Sequence, residues 1–252
     1  MRKPWSKIAL LGFSAALVVV ALAAISGFGH RWAWWDFGAG FAMLKQAAYG
    51  SFVALALCVV GAALARPGTE RRGFLFALIG VALSGIVAYV PWYELRKVRA
   101  LPAIHDITTD TESPPQFVAV LPLRGENSNS TVYAGAAIAA MQRSGYPDIA
   151  PFITSLSPQS AFEKALAAAT HLGWDIVAAE PKFGRIEATD TTFWYGFKDD
   201  VVIRIAEVPQ GSRVDVRSVS RVGGSDVGAN AARIRAFFHE LGPVDPAKVN
   251  GP

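Results

Sequence analysis

Residues 185–238 read RIEATDTTFWYGFKDDVVIRIAEVPQGSRVDVRSVSRVGGSDVGANAARIRAFF, and this stretch decides the fold. Three strand-like runs, Arg185 to Phe193, Val201 to Val208 and Arg213 to Val222, are separated by polar or glycine-bearing turns at Lys198-Asp199-Asp200 and Pro209-Gln210-Gly211. The third run alternates cleanly. Successive strand side chains point to opposite faces, so Val214, Val216, Ser218, Ser220 and Val222 share one face. Arg213, Asp215, Arg217, Val219 and Arg221 share the other. Gly223-Gly224-Ser225 then turns the chain into a helix read over Asp226 to Leu241, with Ile234, Phe237, Phe238 and Leu241 on its apolar stripe.

Upstream, Ser157-Pro158 opens a helix that runs to about Leu172, because serine caps well and proline suits the first helical position. Trp174 to Ala179 reads as another strand. The order helix, four strands, helix, with short turns between strands, predicts an antiparallel meander. The fold class is therefore α+β: three N-terminal transmembrane helices, then a two-layer domain with a four-stranded antiparallel sheet covered by two helices. That layout is similar to the helix-grip arrangement, a likeness of fold that carries no function.

The first part of the chain is a different material. Hydrophobic residues make up 52% of the chain and charged residues 17%, and both values trace to long uncharged runs before residue 94. Ile8 to Ile25, about Phe41 to Ala65, and Phe74 to Tyr93 are each about the length that crosses a hydrocarbon core of about 30 Å. Trp5, Trp32, Trp34, Trp35, Tyr89, Trp92 and Tyr93 fall at their edges, where interfacial aromatics belong. Arg2, Lys3, Lys7, Arg66, Arg71 and Arg72 lie on one side of this arrangement. The positive-inside rule places that side in the cytoplasm and the C-terminal domain in the periplasm. Arg96, Lys97 and Arg99 argue the other way. The expected location is a bacterial inner membrane, with several crossings.

The expected organisation is a membrane anchor over 1–95, a tether with short elements over 96–145, the α+β domain over 146–241 and a disordered tail over 242–252. The single cysteine, Cys58, lies in an apolar run and excludes a disulfide framework. The net charge of +4 is concentrated beside the apolar runs and fits lipid contact, not nucleic acid.

Several motifs recur in one order. They are His105-Asp106-Ile107-Thr108-Thr109-Asp110-Thr111 with Pro114-Pro115, Tyr146-Pro147-Asp148, Ala188-Thr189 with Phe197-Lys198-Asp199-Asp200, and Arg217-Ser218 through Asn230 to Arg233-Ile234. Together they resemble the bacterial family called domain of unknown function 1499, over roughly Leu101 to Leu241. The N-terminal helices resemble the membrane anchor that some members carry. The resemblance implies a family without an assigned activity, and no catalytic residue follows from it.

The candidate binding residues are Phe193, Trp194, Phe197, Asp199, Asp200, Arg217, Ser218, Ser220, Arg221, Ser225, Asp226, Asn230 and Arg233, with His105, Asp106, Thr108, Thr109 and Asp110 in the tether motif. The glycine turn opens a helix whose unsatisfied N–H groups suit an anion, but Asp226 is placed to occupy them itself. Ser218 and Ser220, on the helix-facing side, need partners such as Asn230 or Thr191, or else line a pocket. A serine hydrolase needs a histidine base, and the histidines lie in the tether, on helices or beside the membrane. The acidic set Asp106, Asp110, Asp199, Asp200 and Asp226 suits either a hard cation or, as the reading taken here, turn chemistry and pairing with arginines. The aromatic tip Phe193 to Phe197 is read as core packing, or as a tip meeting the membrane interface or an apolar ligand.

No cofactor and no metal are expected. The expected partners are the lipid bilayer and an envelope protein or lipid ligand, and no nucleic acid. The function expected is a membrane-anchored binding or structural module of the cell envelope. The alternative is an enzyme that uses Asp199, Asp200 and Asp226. The two separate on whether those aspartates converge.

Overall fold

The computed structural model of the protein describes residues 3–242. The tail expected to be disordered lies outside the described residues from position 243 onward. Two compact units are present. One contains residues up to 97 together with 193–196, and the other contains 98–192 and the chain from 197.

The first unit is built on α1 (Lys7–Arg31), α2 (Phe37–Leu64) and α3 (Phe74–Ala100), each long and apolar enough to cross a membrane. Ser6 caps α1 by accepting the Ala9 N–H, and Asp36 caps α2 by accepting that of Ala39. Small residues line the inner faces: Ala9, Gly12 and Ala16 on α1, Ala54, Cys58 and Gly61 on α2, and Ala77 and Gly80 on α3. In lipid no hydrophobic force drives helix association, so close backbone approach supplies the packing. A Cβ on Gly12 would come within 2.8 Å of the Cys58 backbone nitrogen. The third helix runs further than its apolar stretch, passing Pro91 to reach Ala100.

The second unit is the α+β domain. Its sheet has six strands: β1 (Asp106–Thr108), β2 (Phe152–Thr154), β3 (Asp175–Glu180), β4 (Arg185–Thr191), β5 (Lys198–Val208) and β6 (Gly211–Ser220). The meander β3-β4-β5-β6 is antiparallel throughout, and β1 and β2 both pair with the outer edge of β6. The two extra strands have three residues each, too short to display a period. Lys198-Asp199-Asp200, read as a turn, is the start of β5. The turn instead closes at 192–197, where the Thr192 N–H donates to the Phe197 carbonyl and the Phe197 N–H to the Thr192 hydroxyl.

One face of the sheet carries Ile186, Val201, Ile203, Val214 and Val216 against α5 (Pro158–His171) and α6 (Ala229–Leu241). Ser157 caps α5 as its sequence requires, accepting the Ser160 N–H. From α5 come Phe162 and Ala165, and from α6 come Ile234 and Phe237, whose ring stacks on Trp174 at 5.5 Å. The other face is charged. Residues 104–133, read as a tether, first pair with β6 through β1 and then lie across this face as a strap, followed by α4 (Ala136–Gly145). Phe117 and Val120 of the strap meet Val202 and Val219 in a small second core.

Candidate functional site

The alternation of β6 sorts the candidate residues into two polar networks, one on each face of the sheet.

On the strap face, arginines reach up and hold the strap. Arg217 is fully buried and makes a two-pronged pair with Asp106 at 2.9 and 2.8 Å. It also donates to the Pro115 and Thr131 carbonyls, at 3.1 and 2.8 Å. Phe117 and Tyr133 flank its guanidinium at 5.3 and 5.5 Å from their ring centres, within cation–π range. Arg204 and Arg213 share Asp110 and Asp215. Asp200 is fully buried, holding Arg124 of the strap and Arg221 just beyond β6 and accepting the Thr189 hydroxyl at 2.7 Å. Glu187, also fully buried, accepts the Val118 and Val120 N–H groups at 2.9 and 3.0 Å. The strap's irregular backbone thus finds its hydrogen bonds in sheet side chains, which burial demands.

The tether motif is the near end of this strap. Thr108 exchanges two backbone bonds with the Gln142 amide, at 3.0 and 2.7 Å. Thr109 donates its hydroxyl to Asp215 and accepts the Val216 N–H. The His105 carbonyl accepts from Ser220 and Asn230. Burial would raise the Asp110 carboxyl, but the N–H groups of Ser113 and Glu112 and the guanidiniums of Arg204 and Arg213 prevail and hold it below the usual range.

On the helix face, Ser218 donates to Asn230 at 2.7 Å, and Asn230 donates to the Ser220 hydroxyl at 3.0 Å. Arg233 crosses this group. It donates to Ser218 and Asn230 at 3.0 and 2.6 Å, to Asp199 at 2.6 Å and to Asp190 at 2.7 Å. The serines therefore have the partner that Asn230 was expected to supply. Asp226 is not within α6, which begins at Ala229. Its carboxylate stands before the helix and accepts the Gly228 and Asn230 N–H groups at 2.9 and 2.8 Å. This end of the helix is capped from within the chain. Burial raises the Asp226 carboxyl against the pull of those two N–H groups. Ser225 accepts the Val227 N–H within the turn.

Of the aspartates named for an enzyme, Asp200 stands apart on the strap face, while Asp199 and Asp226 are near enough to interact around Arg233 and are held there by hydrogen bonds. Asp199 and Asp200 are neighbours on β5, so their side chains leave opposite faces of the sheet. Asp199 joins Arg233, Asp200 joins Arg124 and Arg221, and Asp226 caps α6.

The aromatic tip divides. Phe197 stays with the sheet domain, whereas residues 193–196 belong to the helical unit. There the Trp194 indole donates to the Ala24 carbonyl at 3.0 Å, and the Tyr195 and Ser26 hydroxyls lie 3.3 Å apart. Gly27 and Gly40 leave room for these rings. A Cβ on Gly27 would overlap the Trp194 indole, and one on Gly40 would sit 3.1 Å from the Tyr195 ring. Phe193 is 79% exposed.

Sequence reading alone missed Arg124, Glu187, Thr189, Asp190, Arg204 and Asp215 as members of these networks. The signal was present in part, since Asp215 and Arg217 alternate on the same face of β6. The domain also carries clefts that the sequence did not reveal. One of about 490 Å³ lies between residues 112–116 of the strap and Phe183, Arg185 and Arg204. Another, of about 300 Å³, is lined by Trp174, Asp190, Ala229 and Arg233.

No curated protein matches the chain. Residues 106–241, more than half of its length, match the family model described as protein of unknown function (DUF1499). That match begins at the first strap residue clamped by Arg217 and ends with α6, and by it the chain belongs to the DUF1499 family.

Proposed function

We propose that the chain is a membrane-anchored protein of the bacterial envelope whose α+β domain faces the periplasm and binds a ligand or partner without catalysing a reaction. The observation that carries this reading is the disposition of the carboxylates. Asp199 and Asp200 are each taken up by guanidinium groups on opposite faces of the sheet, and Asp226 is taken up by backbone N–H groups. General acid–base work needs a carboxyl within reach of a reacting proton, and these three are engaged in holding the strap and the last helix. Clefts of 490 and 300 Å³ are of the size that holds small molecules. The basic residues Lys3, Lys7, Arg66, Arg71 and Arg72 support the periplasmic placement through the positive-inside rule.

Native mass spectrometry of the full-length protein, released from its host's membranes in lipid particles, tests the reading. A reproducible adduct, or one protein captured from a photocrosslinker at Phe183, is the expected result. A uniform apo mass together with no crosslinked partner would remove it.

A further inference from the structure

We infer that the cleft between the strap and the β4–β5 pair is a site for a small organic anion, a carboxylate or phosphate carried on a flat apolar group. The inference rests on the binding reading above and assigns that reading a place and a ligand chemistry.

The first observation is a pair of guanidiniums at the cleft, one of which keeps an open edge among the described residues. Arg185 and Arg204 stand directly opposite each other on β4 and β5, and like charges so placed disfavour strand pairing. Arg204 is fully engaged: its nitrogens donate to Asp110, Asp215 and the Ser113 carbonyl. Arg185 is not. Its Nε and Nη2 are taken by Glu180, with Glu187 at 3.3 Å from Nε. Its Nη1 makes no hydrogen bond to the described residues. Both arginines line the cleft and remain partly exposed, at 25% and 33% of their side chains. Glu112 is the one acidic group in the lining; the carboxylates paired with the two arginines, Glu180, Glu187, Asp110 and Asp215, lie outside it, so an anion would be held by the open Nη1 edge of Arg185 and not by a net charge.

The second observation is the Phe183 ring. It is 65% exposed and lies 5.8 Å from the Arg185 guanidinium, on the same cleft. An aromatic side chain left in water beside a guanidinium is suited to a flat apolar group that stacks on the ring while its anion meets Arg185. The facing wall is Pro114-Pro115, whose rings fix the backbone and present apolar surface without N–H groups. A volume of about 490 Å³ suits a ligand of this class.

The test uses full-length protein in phosphatidylcholine nanodiscs and saturation-transfer NMR with three probes: 3-phenylpropionate, phenyl phosphate and the neutral 3-phenylpropan-1-ol. One or both anions should bind with a Kd of roughly a millimolar, the range expected for ligands of about ten heavy atoms. The alcohol should bind at least about tenfold more weakly, a difference near 1.4 kcal/mol. Whichever anion binds tells a carboxylate ligand from a phosphate one. Phe183→Ser removes a largely exposed ring outside the hydrophobic core, and Arg185→Met removes the charge. Each should weaken anion binding about tenfold or more, with thermal melts confirming the fold. Failure of both anions to bind, equal binding of the alcohol, or unchanged binding in F183S would overturn the site. If the adduct found by native mass spectrometry survives both substitutions, the binding reading stands and this cleft is not its place.

Discussion

Arg217 shows how one side chain can commit a segment of chain. Fully buried between Phe117 and Tyr133, it gathers Asp106, Pro115 and Thr131, which are spread over 26 positions of sequence. Such a charge is tolerated only when it is paired and its nitrogens are hydrogen-bonded. Arg217→Met leaves Asp106 buried without its counter-charge. It should cost about 3–5 kcal/mol, read as a lower unfolding midpoint in detergent. Lysine should not restore it, because a point charge cannot reproduce the two-pronged geometry. Two carboxyls should give opposite responses to pH. Asp110 is held below its ordinary value, so its contribution is present above the ordinary aspartate range and is lost as pH falls through its folded value. Asp226 is raised, so its contribution is complete below the ordinary range and is lost as pH rises through its folded value. Melting curves against pH should therefore lose their acid-side slope in part in Asp110→Asn. In Asp226→Asn they should lose the decline just above the ordinary aspartate range. Unchanged curves in both variants would contradict these assignments.

Among the elements, the meander and its two helices follow from patterns a reader can see. The period-two face of β6 puts Val214 and Val216 in the core, and Ser157-Pro158 opens α5. The strap is different. Its residues carry no period, and its order comes from partners such as Glu187 and Asp215, distant in sequence and themselves invisible as partners until the sheet forms. Asp199-Asp200 misleads for the same reason: two adjacent acids look like a turn, yet they extend a strand because arginines stand on both faces. The tip is the other element decided by tertiary fit. Trp194 and Tyr195 sit in a turn whose sequence leaves core packing and an exposed tip both open, and Gly27 and Gly40 leave space for them within the helical unit. Gly27→Val should displace the Trp194 indole and destabilise the protein by about 1–3 kcal/mol, as overpacking does. The same substitution at Gly85, where nothing lies within 4 Å, should be close to neutral. Equal melting temperatures for the two variants would refute the fit.

At the scale of the whole molecule, the sidedness of the membrane unit sets what the domain can meet. Crossing by all three helices, each long and apolar enough for it, would put residues 65–73 and the chain after α3 on opposite sides. Ser144→Cys, at an exposed position, should react with a membrane-impermeant maleimide in cells whose outer membrane has been permeabilised. Thr69→Cys should react only after lysis, and the buried Cys58 in neither case. The reverse pattern would place the domain in the cytoplasm. By itself the sequence determined the number of apolar helices, the α+β class, the direction of the meander and which residues of β6 share a face. Each of these follows from length, hydropathy or a local period, and needs no knowledge of distant chain. Only the tertiary structure decided that residues 104–133 clasp the charged face, that Asp199 and Asp200 serve different networks, and that Arg185 stands beside an exposed ring in a cleft. A charge declares its partner only in three dimensions, because ion pairs and hydrogen bonds are set by distance and geometry and leave no repeat along the chain.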